Sequence, residues 1–507
     1  MMTFKLFSFF TIIISAFSLL APLSASTYYV SPSGDDSKNG TIEQPFASWA
    51  KAQTAVFAGD TVFFRSGIYR YTSATTRCAS QTASVSAIVV SKSGTSGKMI
   101  HYIAYPGENP IFDFYDDTCD CRIRGVEVSA NYVHFKGLEL RGVPQNNDLN
   151  HESWCFWITG SNNLFELLDL HHHMGPGLFI QKGDGNLVLN CDSHDNFDAH
   201  TSNGAGESAD GFGCHTTTVS TITNVFRGCR AWWNADDGFD CISCSGPVLV
   251  ENCWNWLNGY KAGTTTAIGN GNGFKMGGFG MPPSKYPTNI PKHTVRNCCS
   301  FLNRSAGFYQ NHHPAINYYY NNTGYKNGVN FNMLGYDLDA AADAGMGIYK
   351  NNIAFTGTAT SSATGDQIES SANSWNLTGT TVNASDFISI DTAGIRALRQ
   401  KDGSLPNIPF LKLVSSSDCI NKGIDVGLPF TGSAPDLGAY EFTPGTTVIN
   451  SCLETPVLMD QNNSAVYDLD GRKLPFKSPS ATALQITPVL GKDFRNLSKC
   501  KKLYFNR

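Results

Sequence analysis

Five residues carry the chemistry that this sequence most clearly sets up. Asp210 and Asp237 each stand immediately before a Gly-Phe pair, Gly211-Phe212 and Gly238-Phe239. Asp236 adjoins Asp237. Asp240 and Lys275 each stand immediately after the Phe of such a pair, the second being Gly273-Phe274. If those Phe side chains point inward, the alternation of a strand sends Asp240 and Lys275 outward on one face. Neighbouring strands are about 4.8 Å apart, so four carboxylates gather on two adjacent repeats, with the lysine one repeat further along an exposed surface. Carboxylates so close raise one another's pKa unless a cation compensates. A flexible, highly charged, all-oxygen ligand set suits Ca²⁺ better than Mg²⁺. A single Asp-Gly is a common turn, and a single outward Lys is commonly a solubilising residue. Here four Asp share a register, and Lys275 is the sole charge between Ala267 and Gly280. A cation beside Lys275 lowers its pKa and fits it to act as a general base. The reaction this suits is removal of a proton next to a carboxylate, where the cation stabilises the developing charge. In a uronic acid, loss of the C5 proton lets the C4 oxygen depart. That is β-elimination, which cleaves a chain without water.

Residues so placed need a scaffold of short strands stacked in register, and the chain repeats accordingly. Cys191, Cys229, Cys253 and Cys298 each end a short apolar piece, and each is followed five positions later by Asn: Asn196, Asn234, Asn258 and Asn303. Asn322 and Asn352 continue the Cys slot, and Asn327 continues the turn slot. Gly followed by an apolar residue recurs at 177, 211, 238, 273 and 307. A basal unit of about 24 residues with insertions fits these positions, and no apolar period of 3.6 runs long enough for helices. The pattern predicts an all-β chain, a right-handed parallel β-helix with one unit per coil. Cys and Phe form inward ladders, and Asn side chains satisfy the turn backbone. The ladder cysteines read as buried free thiols. Ala47 to Phe57 is predicted as a short helix capping the open N-terminal end, which otherwise exposes strand edges. Pro435 to Phe442 reads as a last strand, Thr443 to Thr447 as a linker, and the remainder as a compositionally distinct tail.

Composition narrows the function. Charged residues make up 16% and aromatics 12% of the 507 positions, which excludes a disordered chain and a coiled coil. With a net charge of −5 there is no basic footprint for nucleic acid. An acidic polymer would therefore be held by a local cationic device. Lys5, the apolar stretch Leu6 to Leu20 and the small residues Ser24-Ala25-Ser26 read as an export signal over residues 1–26. No later stretch is apolar enough to span a membrane. A secreted, periplasmic or cell-surface soluble monomer is expected. Neither Cys241-x-x-Cys244 nor Cys119-x-Cys121 has a partner pair at zinc-site spacing. In His171-His172-His173, consecutive strand residues point to opposite faces, so the run is read as turn residues near the groove and not as a metal site.

Around these residues the sequence resembles polysaccharide lyase family 9, the pectate-lyase-like β-helix enzymes. The likeness is carried by Ser208-Ala209-Asp210-Gly211-Phe212, Asn234 to Asp240, and Gly271-Asn272-Gly273-Phe274-Lys275-Met276-Gly277-Gly278. Glu251-Asn252-Cys253-Trp254, Ser305 to Phe308 and the opening Tyr28-Tyr29-Val30-Ser31-Pro32 agree. The resemblance covers about Thr27 to Phe442. It implies Ca²⁺ held by Asp210, Asp236, Asp237 and Asp240, Lys275 as base, and an acidic plant cell-wall polysaccharide as substrate. Polygalacturonate is the expected substrate and rhamnogalacturonan I the alternative. The run Tyr309-Gln310-Asn311-His312-His313 and the insertion Met281 to Lys292 depart from the pectate-lyase pattern and favour a partly neutral sugar chain. Arg296, Arg304, His312 and His313 are read as lining sugar subsites. Two further readings stay open: a non-catalytic β-helix bridging acidic glycans through Ca²⁺, and a hydrolase using Asp236 and Asp237 as acid and base. The tail from Tyr467 to Leu474 resembles a fragment of the sorting domains of secreted Bacteroidetes proteins.

Overall fold

Each coil contributes three short strands, and like strands of successive coils pair in parallel to form three long sheets. The computed structural model describes residues 25–444 apart from 79, 81, 147–151 and 202–203, together with the short strands Leu458–Met459, Val466–Tyr467 and Lys473–Leu474. Sheet I has 13 strands and runs from Thr27–Val30 through Asn224–Arg227, Val248–Glu251 and Thr294–Arg296. Sheet II has 10 strands, among them Trp154–Ile158, Leu178–Ile180, Phe212–Cys214, Phe239–Asp240, Phe274–Lys275 and Ala306–Tyr309. Sheet III, also of 10 strands, includes Glu139–Arg141, Asp169–His171, Asp192–His194 and Arg230–Trp232. The expected parallel β-helix is the observed fold.

The ladders explain why this sequence takes it. Phe212, Phe239, Phe274, Phe308 and Phe331 stack with ring centroids 5.0, 4.9, 5.2 and 4.6 Å apart. Such pairs contribute about 0.5–1.5 kcal/mol each in addition to their buried area. Cys191, Cys229, Cys253 and Cys298 are buried free thiols in one column. Asn322, Asn352 and Asn373 extend it, each accepting the preceding member's amide N–H. The residue before each slot turns the chain with positive φ: Asn190 at 56°, Gly228 at 66°, Asn252 at 53° and Asn297 at 54°. Asn and Gly tolerate that region, which accounts for their recurrence there. The turn asparagines form their own wire: Asn196 Nδ2 donates to Asn234 Oδ1 at 2.8 Å, Asn234 to Asn258 at 3.1 Å, and Asn258 to Asn303 at 2.9 Å.

The N-terminal end and one outer face are covered by segments that do not repeat. The helix Trp49–Ala55 starts at Ser48, whose hydroxyl accepts from Lys51 N at 3.1 Å. Its Trp49 is fully buried, with ring centroids 4.8–5.1 Å from those of Phe64, Tyr102 and Phe112. Along the side, Phe387, Phe410 and Leu411 cover the outer face of sheet III over Trp232, Trp256 and Phe301. Pro435 to Phe442 is not the expected strand. Pro435 brings no N–H, Gly438 has φ 90°, and the Asp436 carboxylate takes the Asn421 and Phe442 amides that a ladder would have used. Among the described residues one disulfide, Cys78–Cys121, joins the early coils.

The chain divides into the units Met1–Ile449 and Asn450–Arg507. In the second, the three short strands form an antiparallel sheet. The export signal read at residues 1–26 lies outside the described residues except for Ala25 and Ser26. Among the described residues no helix is long and apolar enough to cross a membrane.

Candidate active site

Sheet II places the chemistry. Phe212, Phe239, Phe274 and Phe308 align inward, and the next residues, Gly213, Asp240, Lys275 and Tyr309, align outward. Phe179 and Trp157 precede Gly213 in the same outward row. Gly213 leaves room for the Phe179 ring, which a Cβ there would meet at 2.6 Å. Gly238 is equally confined, since a Cβ would lie 2.8 Å from both Asn258 Nδ2 and Gly273 O. The Asp-Gly-Phe recurrence is thus a turn pressed against the asparagine wire, which holds Asp210 and Asp237 in place.

The outward face is far less exposed than expected. Asp210, Asp236, Asp237 and Asp240 retain only 4, 3, 0 and 4% exposure, and the Lys275 side chain 13%. Each carboxylate has its Oδ1 tied to a backbone amide: Asp210 to Asp237 N at 3.0 Å, Asp236 to Asn270 N at 3.3 Å, Asp237 to Asn272 N at 2.6 Å and Asp240 to Ile242 N at 2.7 Å. Lys275 Nζ stands 3.0 Å from both Asp237 Oδ2 and Asp240 Oδ2. Burial pushes Asp210 and Asp236 well above the usual carboxylate range, and their acidic neighbours push them further. Burial also raises Asp237. Asp240 pays the same burial penalty but is held below its ordinary value by Lys275 and His215. Burial pulls Lys275 down, yet the four carboxylates outweigh it and hold the ammonium well above its ordinary value.

This donor set fits a hard cation. Ligand atoms of Asp210, Asp236 and Asp237 lie within 4.8 Å of one another, as do those of Asp210, His215 and Asp240. Asp237 Oδ2 is buried with Lys275 Nζ against it at 3.0 Å, and His215 Nε2 is buried without a hydrogen bond. A buried carboxylate oxygen is costly unless a cation meets it; the ammonium does so here, and a metal ion would take the same oxygen.

The expected subsite residues divide. His312 is half-exposed, pairs with Asp343 at 2.7 Å, and lines a cavity of about 460 Å³ with Ile242, Phe279, Met281, Tyr286 and Tyr336. The other three lie elsewhere. Arg296 is on sheet I, bound to Glu251 in a separate ion-pair row with Arg227. Arg304 donates to Gly269 O and so holds the loop whose Asn270 amide supports Asp236. His313 is buried, accepting from Gly278 N at 3.1 Å with its Nε2 2.8 Å from Pro291 O, which keeps it from any sugar. The run His171-His172-His173 ends an internal strand of sheet III, turning at His172 with φ 59° before the buried His173.

Two groups escaped the sequence reading. Tyr309 follows Lys275 in the outward row, and its signal was the residue after Phe308. His215 closes on Asp240 at 3.8 Å from the preceding coil. It stands three positions after Phe212, where no repeat marked it.

The chain is similar over most of its length to known proteins. The family described as Pel9A-like, right handed beta helix region, matches residues 28–352. Pectate lyase L of Dickeya chrysanthemi is 34% identical over 422 residues, covering 82% of this chain and 90% of that protein. Pectate lyase PEL9 of Emericella nidulans is 31% identical, covering 78% and 94%. Among solved structures, one titled rhamnogalacturonan lyase is 36% identical with a TM-score of 0.71, covering 77% of this chain and 97% of its own. Pectate lyase Pel9A is 32% identical with a TM-score of 0.66, covering 82% and 96%.

Proposed function

The chain belongs to polysaccharide lyase family 9, and from that premise we propose that it is an exported, calcium-dependent lyase that cleaves polygalacturonate by β-elimination. The observation that carries the reading is Lys275 Nζ at 3.0 Å from both Asp237 and Asp240, in a cluster of four nearly buried carboxylates. Asp210, Asp236, Asp237 and Asp240 would hold the ion. Calcium bound there would stabilise negative charge developing on the substrate carboxylate and cancel the carboxylate field that keeps the proton on Lys275. Lys275, neutral, takes the C5 proton. The C5–H electrons form the C4–C5 double bond, and the C4–O bond breaks towards the leaving sugar. The outward row sets the path of the chain, with Trp157 and Phe179 on one side of the base and Tyr309 on the other. Export is supported by the apolar stretch Leu6 to Leu20 and by the Cys78–Cys121 disulfide.

A second substrate reading, rhamnogalacturonan I, is favoured by one feature. The cavity that His312 lines has an apolar wall of Phe279, Met281, Tyr286 and Ile242. Such a wall suits a neutral methyl-bearing sugar better than a uronate. Initial rates on the two polymers, followed as unsaturated product, decide between them. A higher kcat/KM on polygalacturonate supports the first reading, and turnover confined to rhamnogalacturonan I replaces it with the second.

A further inference from the structure

Sheet III carries a second constellation on a different face of the coil from Lys275. In its outward rows Glu139 pairs with Asp169, and His171 with His194, from coil to coil. Glu139 Oε1 lies 3.4 Å from His171 Nε2. Ligand atoms of Glu139, Asp169 and His171 all lie within 4.8 Å of one another.

One atom of each of these three groups is held by an outer partner, and the remaining Glu139 Oε1 and His171 Nε2 face each other at 3.4 Å. Glu139 Oε2 accepts from Asn109 Nδ2 at 2.9 Å. Asp169 Oδ1 lies 3.0 Å from His194 Nε2, and His194 Nδ1 is itself 2.6 Å from Asp195 Oδ2. His171 Nδ1 lies 2.7 Å from His172 Nδ1. Metal-binding groups are commonly oriented by such outer partners, which fix the tautomer and leave one donor atom forward. The competing cation, Arg141, is bound to Asp113 at 2.9 Å and stands 3.8 Å from Glu139. The segment that covers sheet III packs on Trp232, Trp256 and Phe301, and its Arg399, which reaches the neighbouring row, is held by Asp192 at 2.5 Å.

The structure assigns to Glu139, Asp169 and His171 a site for a divalent transition-metal ion, typified by zinc, separate from the calcium cluster. One imidazole nitrogen with two carboxylate oxygens is a borderline-soft donor set that distinguishes it from the all-carboxylate calcium site. The Asp169 side chain is 49% exposed, so solvent would complete the coordination. Because the donors come from two successive coils, with His194 bracing from a third, the bound ion pins coils together and leaves the chemistry of sheet II untouched.

The test uses the mature chain saturated with calcium, so that the carboxylates around Lys275 are occupied. Zinc is titrated calorimetrically into wild type, Glu139→Gln and His171→Gln, with the lyase rate of each measured as a check of folding. The expected result is one zinc per wild-type chain, affinity at least about tenfold weaker in each variant, and a thermal midpoint raised by zinc in wild type only. Lyase rates should be equal throughout. No zinc uptake by wild type, or undiminished uptake by both variants, overturns the site and leaves these groups as ion pairs. If His171→Gln loses its lyase rate, the carboxylate-to-amide change at Glu139 decides alone.

Discussion

Removing the Lys275 ammonium should tighten calcium binding while it abolishes turnover. Nζ is 3.0 Å from an oxygen of Asp237 and from one of Asp240, and those carboxylates are 0 and 4% exposed. Lysine and calcium therefore compete for the same oxygens. Breaking a buried pair by deleting one partner costs about 3–5 kcal/mol, because the other charge is left uncompensated. In Lys275→Ala the calcium-free protein bears this cost, reduced where the carboxylates take up protons, and calcium removes it. By linkage the same free energy appears as affinity. At about 1.4 kcal/mol per tenfold, even half of the lower bound is a tenfold gain. The variant should thus bind calcium at least about tenfold more tightly, melt lower than wild type in chelator, and melt close to it in excess calcium. Its kcat should fall at least about 10²-fold, the low end for loss of a general base. Calcium calorimetry, paired melts and single-substrate kinetics read all three. Calcium affinity equal to or weaker than wild type would show that the ammonium does not share the ligands, and the reasoning would fall.

Other outcomes follow from particular side chains. Asp198 is fully buried, its carboxylate faces no cation among the described residues, and burial pushes its pKa up to about 8. An acid raised in the fold stabilises fully below its unfolded value near 3.8 and loses that contribution as pH climbs towards about 8. Asp198→Asn should therefore match wild type in acid and exceed it by up to a few kcal/mol at pH 8; equal urea midpoints at both pH values refute this. Asn258→Ala removes two donor and two acceptor contacts from the turn wire and leaves Asn234 N without its acceptor. A loss of about 2–3 kcal/mol is expected by urea unfolding, and a loss under about 0.5 kcal/mol makes the wire ornamental. Tyr286→Ala strips the apolar wall of the cavity beside His312. It should raise KM for rhamnogalacturonan I several-fold and leave polygalacturonate kinetics unchanged, and parallel changes on both polymers would remove the cavity from substrate choice.

What the sequence made legible was whatever repeats. The Cys and Asn slots named one corner of the coil, and the Gly-Phe landmark named another. Together they placed Asp240 beside Lys275 before any coordinates. Burial was not legible. The four Asp read as an exposed cluster because nothing in the repeat shows that the 269–272 loop folds over them, its Asn270 and Asn272 amides held by Asp236 and Asp237. Arg296, Arg304 and His313 were misplaced for a related reason. Each lies close in sequence to a landmark, but a landmark fixes a register and not which of three faces the neighbouring residue meets. His313 is drawn inward by Gly277, where a Cβ would sit 2.2 Å from its Nδ1. The cover on sheet III has no period at all, and its Phe387 and Phe410 pack on the aromatics of sheet III while Arg230 and Arg399 tie the same segment to the coils. The Cys78–Cys121 pairing joins residues outside the repeat, and cysteine spacing does not specify connectivity.

In the proposed function, Lys275 removes a proton with the help of a cation held by its four aspartates. The most direct test is ultraviolet absorbance of a C4–C5 unsaturated uronate, followed on polygalacturonate and on rhamnogalacturonan I for wild type and Lys275→Arg, each with calcium and with excess chelator. Wild type should form the chromophore with calcium and stop in chelator. Lys275→Arg should form none on either polymer, because a guanidinium stays protonated and cannot accept the C5 proton. Saturated products made equally well in chelator, or a chromophore formed by the arginine variant at the wild-type rate, would contradict the account.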